Sequence, residues 1–208
     1  MGTGDRLHFA VLGDSIAYGQ GATRQTETAG ARLAARLAAA GTPAELRVFA
    51  VPGARSDAVA AQVRRAVEWG AELALIIIGA NDLTRLVPPD RAAAQLGDAV
   101  TRLRAAGAQV VVAPAPDLSA VPWVPPQLRA VVKAGSDLLR AAQTRAAIGA
   151  GAAVADVGGG TSAAFADDVS LFSADRFHPS SAGYARIAEA LAPAVLAAAE
   201  ACRGRTAE

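Results

Sequence analysis

FAVLGDSIAYGQGA, Phe9–Ala22, opens as an apolar run and then sets an acid, a hydroxyl and three glycines within Leu12–Ala22. Burying Asp14 and Ser15 in the middle of a sheet would strip water from both without a partner. The run therefore reads as a strand that leaves the sheet at Gly13, with Asp14 and Ser15 on the loop at its carboxyl end. The same two residue types also cap short helices readily, and taken alone the stretch favours that reading.

Working outward, short runs of branched residues alternate with longer alanine- and arginine-rich stretches at helical spacing, the pattern of parallel strands joined by crossover helices. Strands are predicted at His8–Leu12, Leu46–Ala50, Leu73–Ile78, Gln109–Ala113 and Ala153–Asp156. Helices are predicted at Thr28–Ala40, Ser56–Trp69, Asp90–Ala106, Gln127–Ile148 and from Ser181 to about Ala199. Gly41, Gly70, Gly107 and Gly149 fall just past helical stretches, where a left-handed C-cap favours a residue without Cβ. The expected fold is an α/β three-layer sandwich around a five-stranded parallel sheet in the flavodoxin-like order 2-1-3-4-5. Residues 1–208 read as a single domain, with 1–6 and 203–208 as tails. The proline-rich segment Pro114–Gln127 is either a lid carrying Trp123 over a pocket, which would make Trp123 a substrate contact, or a rigid surface connection.

Composition narrows the functional classes. Apolar residues make up 52% and charged ones 19%, enough to build a core, and the formal charge is only +1. Basic and acidic residues are interspersed, so the electrostatic footprint of a nucleic-acid binder is missing. Apolar runs such as LALIIIGA fall short of the roughly 20 residues that span a bilayer. The start, MGTGDRLHFAVLGDS, lacks the basic and apolar pattern of a secretory signal, and a cytoplasmic location is expected. One cysteine, Cys202, permits neither an internal disulfide nor a thiolate metal cluster. No cofactor and no metal are expected, and oligomeric state is left open.

In an open parallel sheet the ligand crevice lies beyond the carboxyl ends of the strands. The loops there are GDSIAYG after strand one, VPGARS after strand two and GANDL after strand three, and the predicted order makes them neighbours. A serine hydroxyl needs a base, for which imidazole is suited near neutral pH. His8 lies at the entrance of the first strand, far from the crevice. His178 lies in DRFHPSSAGY ahead of the last helix, with Asp175 three positions earlier, a spacing that lets a carboxylate reach the second ring nitrogen. The amides of Ser15 and Gly53 and the side chain of Asn81 are suitable donors to a developing oxyanion, and Ser180 or Ser181 is placed to cap the last helix.

These four stretches, GDS, the glycine of VPG, GAND and DRFH, resemble the signature blocks of the SGNH or GDSL hydrolases, a family of serine esterases and lipases, from Val11 to Tyr184. The resemblance implies Ser15 as nucleophile and first oxyanion donor, Gly53 and Asn81 as further donors, His178 as base and Asp175 as its orienting acid. Family members often carry an asparagine shortly before the second-block glycine, where this chain reads RVFAVPG. The implied partner is a small-molecule ester or acyl substrate, thioesters included, cleaved through an acyl-serine. An acyltransferase using the same site, or a binding module with idle catalytic parts, are the alternatives. A phosphate-binding domain is disfavoured because GDSIAYGQG fits neither G-x-G-x-x-G nor G-x-x-x-x-G-K-[ST].

Overall fold

The computed structural model describes residues 6–155, 157 and 159–206. In chain order these are β1 (Leu7–Gly13), α1 (Ser15–Tyr18), α2 (Ala29–Ala39), β2 (Ala44–Val48), α3 (Val59–Glu68), β3 (Leu73–Ile77), α4 (Ala80–Thr84) and α5 (Pro89–Ala105). Then follow β4 (Gln109–Ala113), α6 (Arg129–Gly149), β5 (Ala153–Val154), α7 (Gly159–Asp167) and α8 (Ser181–Thr206). All strands are parallel and the order is β2-β1-β3-β4-β5, as expected. Asp156, the predicted end of the fifth strand, lies outside the described residues, as do 1–5 and 207–208 of the predicted tails. Residues 203–206, read as tail, instead continue α8.

Alternation along the strands makes the two cores. Phe9, Val11, Leu73, Leu75, Ile77 and Val111 face one side, against Leu33 and Leu37 of α2 and Leu191 and Val195 of α8. Ala10, Leu12, Ala74, Ile76, Val110 and Val112 face the other, against Val59 and Val63 of α3 and Leu96, Val100 and Leu103 of α5. Because successive side chains point to opposite faces, a strand covered on both faces must be apolar throughout. This accounts for LALII in β3, buried at every position, and for the half-exposed alternation of β2 at the sheet edge.

Gly41, Gly70 and Gly107 take left-handed conformations just past α2, α3 and α5. Gly149 does not: α6 runs through it, and Gly151 adopts φ 86° and returns its amide to the Ile148 carbonyl. The segment Pro114–Gln127 packs down instead of floating, with Leu118, Val121 and Val124 buried against Ala80 and Phe172. None of the described helices is long and apolar enough to cross a membrane.

The exit of β1 is held by a buried amide side chain. Gln62 on α3 accepts from the Gly13 amide at 2.7 Å and donates to the Gly13 carbonyl at 2.9 Å. Gly13 has φ 131°, and a Cβ there would overlap the Ile77 carbonyl. Gln143 on α6 does the same work between the next strands, accepting from Ala115 N and donating to the Ile78 carbonyl. Gln62→Met keeps the volume but orphans the Gly13 amide, at roughly 1–3 kcal/mol, and leaves the Gly13 carbonyl with only the Val51 amide. Urea unfolding is expected to register a loss of a few kcal/mol, and an unchanged midpoint would contradict this account.

Candidate active site

Ser15 is the first residue of α1, directly after Asp14, whose carboxylate caps the helix by accepting from Ile16 N at 2.9 Å. The serine is buried apart from a 5% exposed fringe. Across it, His178 Nε2 lies 2.9 Å from Ser15 Oγ, and His178 Nδ1 lies 2.6 Å from Asp175 Oδ2. The other carboxylate oxygen of Asp175 accepts from Ser173 Oγ, Phe177 N and His178 N at 2.8–2.9 Å. Burial raises the Asp175 pKa, but these bonds and the imidazole outweigh it and hold the carboxyl well below its ordinary range. An ionised Asp175 only accepts, so the ring proton sits on Nδ1 and leaves the Nε2 lone pair facing the serine hydroxyl.

The turn carrying this pair is clamped at both sides. Ser173 N donates to the His178 carbonyl and Ser180 N to the Leu171 carbonyl, while Phe172 bridges Pro179. Arg176 occupies the left-handed region at φ 55°, which folds Asp175 back toward His178. Ser180 rather than Ser181 caps α8, accepting from Gly183 N, and Ser181 bonds Glu27 instead. His8 is remote from all this, stacked on Trp69 at 4.5 Å and bonded to the Gly70 carbonyl.

The loops after β2 and β3 are stitched together beside Ser15. Asn81 Nδ2 donates to the Ala54 carbonyl at 3.0 Å, which brings Asn81 against the loop of Gly53 and leaves its second amide hydrogen over. Gly53 is exposed, with φ 81° and open space where a Cβ would stand. Asp82, fully buried, accepts from both Ser56 N and Ser56 Oγ and locks the same two loops. Burial pushes its carboxyl up despite those bonds, with Asp57 adding to the rise. Ser56 reads in the sequence as the start of a helix and Asp82 as part of the loop GANDL, and nothing in the one-dimensional pattern joins them.

Asp14 has a less comfortable position. It is 1% exposed, and its Oδ2 has no hydrogen-bond partner. Burial drives its pKa up to about 7, against the Ile16 amide, while the Asp82 charge raises it further. Tyr184, in the sequence DRFHPSSAGY, lies near enough that burial and the charges of Asp14 and Asp175 push its phenol upward; its hydroxyl donates to the Gln20 carbonyl at 2.8 Å.

An apolar cavity of about 100 Å³ is walled by Ile16, the residue after Ser15, by Phe177 and Pro179, which flank His178, and by Leu118, Val121, Phe165 and Phe172 among others. Trp123 is not part of that wall. It stacks on Phe177 at 5.6 Å and is 56% exposed, so Phe177 stands between the indole and the cavity. Among the described residues no group of three or more His, Cys, Asp or Glu is placed to hold a metal ion.

Fold and site together define a three-layer sandwich with a serine, histidine and aspartate in hydrogen-bonded series at the carboxyl ends of its strands. The chain belongs to the GDSL-like lipase/acylhydrolase family, whose profile matches residues 11–186. It is 38% identical over 189 residues to a GDSL-like esterase of Mycobacterium tuberculosis, covering 89% of this chain and 60% of that protein's length. The fold is similar to the crystal structure of TesA, with a TM-score of 0.74 at 22% identity over 92% of this chain and 99% of that one. It is likewise similar to an acetylxylan esterase from Geobacillus stearothermophilus, with a TM-score of 0.69 at 18% identity over 94% and 96% of the two chains. At such identities the structural likeness speaks for the fold alone.

The raised pKa of Asp14 carries a pH signature. The folded chain keeps a proton that the unfolded chain releases above about pH 4. Stability from this group is therefore full below about pH 4 and is lost as pH rises toward about 7. Asp14→Asn mimics the protonated acid, so its stability relative to the parent is expected to climb by a few kcal/mol across that window. Denaturant unfolding at several pH values measures the difference, and a gap independent of pH would refute it.

Proposed function

We propose that this chain is a carboxylic ester hydrolase working through an acyl-serine. The observation that carries the reading is the unbroken series from Asp175 Oδ2 through the imidazole of His178 to Ser15 Oγ, at 2.6 and 2.9 Å. His178 takes the serine proton as Ser15 Oγ attacks the ester carbonyl, and ionised Asp175 stabilises the imidazolium that forms. The tetrahedral oxyanion is received by the amides of Ser15 and Gly53 and by the remaining Asn81 amide hydrogen. His178 then protonates the departing alcohol. Water enters, gives its proton to His178 and releases the acid, restoring the serine.

The apolar cavity suits a small hydrophobic group on one side of the reacting carbonyl, and its walls offer few polar partners to a charged one. Family membership and the esterase among its relatives support hydrolysis of esters; a thioester carbonyl would be attacked by the same steps. Whether an alcohol can replace water at the acyl-enzyme is decided by product analysis with and without a competing alcohol.

Ser15→Ala is expected to lower turnover of para-nitrophenyl butyrate by on the order of 10^3 or more. Retained activity would reject Ser15 as nucleophile. Asn81→Ala is expected to cost roughly 10^2–10^3 in kcat with little change in KM, the pattern of a group that acts on the transition state. A loss of less than about tenfold would remove Asn81 from the oxyanion site.

A further inference from the structure

A second cavity, of about 240 Å³, opens on the loops after β2 and β3, and its lining differs in kind from the apolar one. Arg55, Arg85 and Arg91 face it together with Gln95, Asp57 and Asp82. Both carboxylates are already engaged. Asp57 takes Arg55 through two bonds, at 2.8 and 3.4 Å, and Asp82 is spent on Ser56. Arg85 and Arg91 make no ion pair with any described carboxylate, so the cavity sets three arginines against two aspartates and leaves two guanidiniums without a direct partner.

The placement of Arg91 runs against local preference. Arg91 lies in the first turn of α5, where the helix macrodipole disfavours a cation. Arg85 ends α4 and precedes Leu86, a leucine held at φ 53° and 89% exposed at the cavity's lip. Like charges gathered in a concavity raise each other's energy until an anion enters, and the guanidinium fork matches carboxylate, sulfate and phosphate oxygens.

The cavity also sits on the two loops that carry Gly53 and Asn81. Arg55 follows Ala54, whose carbonyl receives the Asn81 amide, and Asp82 follows Asn81 itself. It shares no lining residue with the apolar cavity beside Ile16 and Phe177. An ester carbonyl carries two substituents that diverge from it, and the protein offers two unlike surroundings. Building on the ester-hydrolase reading above, we infer that the Arg55–Arg85–Arg91 cavity is a subsite for an anionic group of the substrate, so that the preferred esters carry an apolar half and a negatively charged half.

The test compares three butyrate-sized esters: para-nitrophenyl butyrate, its ring-sulfonated analogue, and para-nitrophenyl hemisuccinate. The second carries the anion on the leaving half and the third on the acyl half, so the pair identifies which half the arginines read. Arg85→Ala/Arg91→Ala is expected to lower kcat/KM for one anionic ester by about tenfold while hardly changing the neutral one. The exposed Arg102→Ala, at the far end of α5, controls for net charge and is expected to leave all three unchanged. Equal effects on charged and neutral esters, or none, would overturn the subsite. Binding of the two anionic esters to the Ser15→Ala protein, followed by calorimetry, decides the matter independently of turnover. A dissociation constant about tenfold weaker in the arginine-deleted form supports the subsite, and an identical constant for both esters overturns it even if no ester is cleaved.

Discussion

Two hydrogen bonds between the Gln62 side chain and the backbone of Gly13 govern the rest of this structure. β1 is the inner strand between β2 and β3, and it must stop abruptly so that the next residue can turn into a helix carrying Ser15. A strand that leaves a buried sheet exposes an amide and a carbonyl to a dry interior, which is costly unless a partner is supplied. Gln62 takes the amide and shares the carbonyl with the Val51 amide, and the missing Cβ of Gly13 lets the chain pass against the Ile77 carbonyl. Gln143 repeats the solution for the ends of β3 and β4. The backbone groups at the carboxyl edge of the sheet are therefore satisfied where Ser15 and the walls of the apolar cavity begin.

On that edge two aspartates near one serine are driven in opposite directions. Asp175 reaches the surface and gathers donors from Ser173, Phe177 and His178, so it stays charged. Asp14 is sealed beneath Ser15, with one oxygen unpartnered, and burial carries it toward neutrality. A carboxylate charge thus stands at the far nitrogen of His178, while the carboxyl beneath the hydroxyl is driven toward neutrality. Asp82 extends the arrangement, since its own charge bears on Asp14 and its bonds to Ser56 tie the loops of Gly53 and Asn81.

Much of this was legible in one dimension because strong physical signals are local. Runs such as LALIIIGA announce buried strands, and the glycines after α2, α3 and α5 announce helix ends. Short helices were not legible: α1 and α4 are a turn or so long, too brief to show a period of 3.6. α7 escaped because its sequence, GGTSAAFAD, opens on glycines and shows no apolar stripe. Gln62 and Gln143 were invisible as well, since a glutamine on an apolar helix face reads as a flaw until the backbone groups it serves are seen. The four site blocks could be placed in order on their loops, yet the partnership of Asn81 with Ala54, and of Asp82 with Ser56, depends on distances that sequence separation does not encode. The surroundings of Trp123 were hidden for a similar reason, because an aromatic in a proline-rich segment gives no sign that it will stack on Phe177.

The hydroxyl and the imidazole that meet at this site come from positions 15 and 178, and the second is anchored by the cap of α8. α8 in turn buries Leu191 and Val195 on the face of the sheet that β1 begins. During synthesis, then, the serine emerges early but stands without its imidazole partner until the final helix has been made and has docked. On the acyl-serine reading, a growing chain on the ribosome would be chemically silent, and the birth of reactivity would coincide with completion of the core.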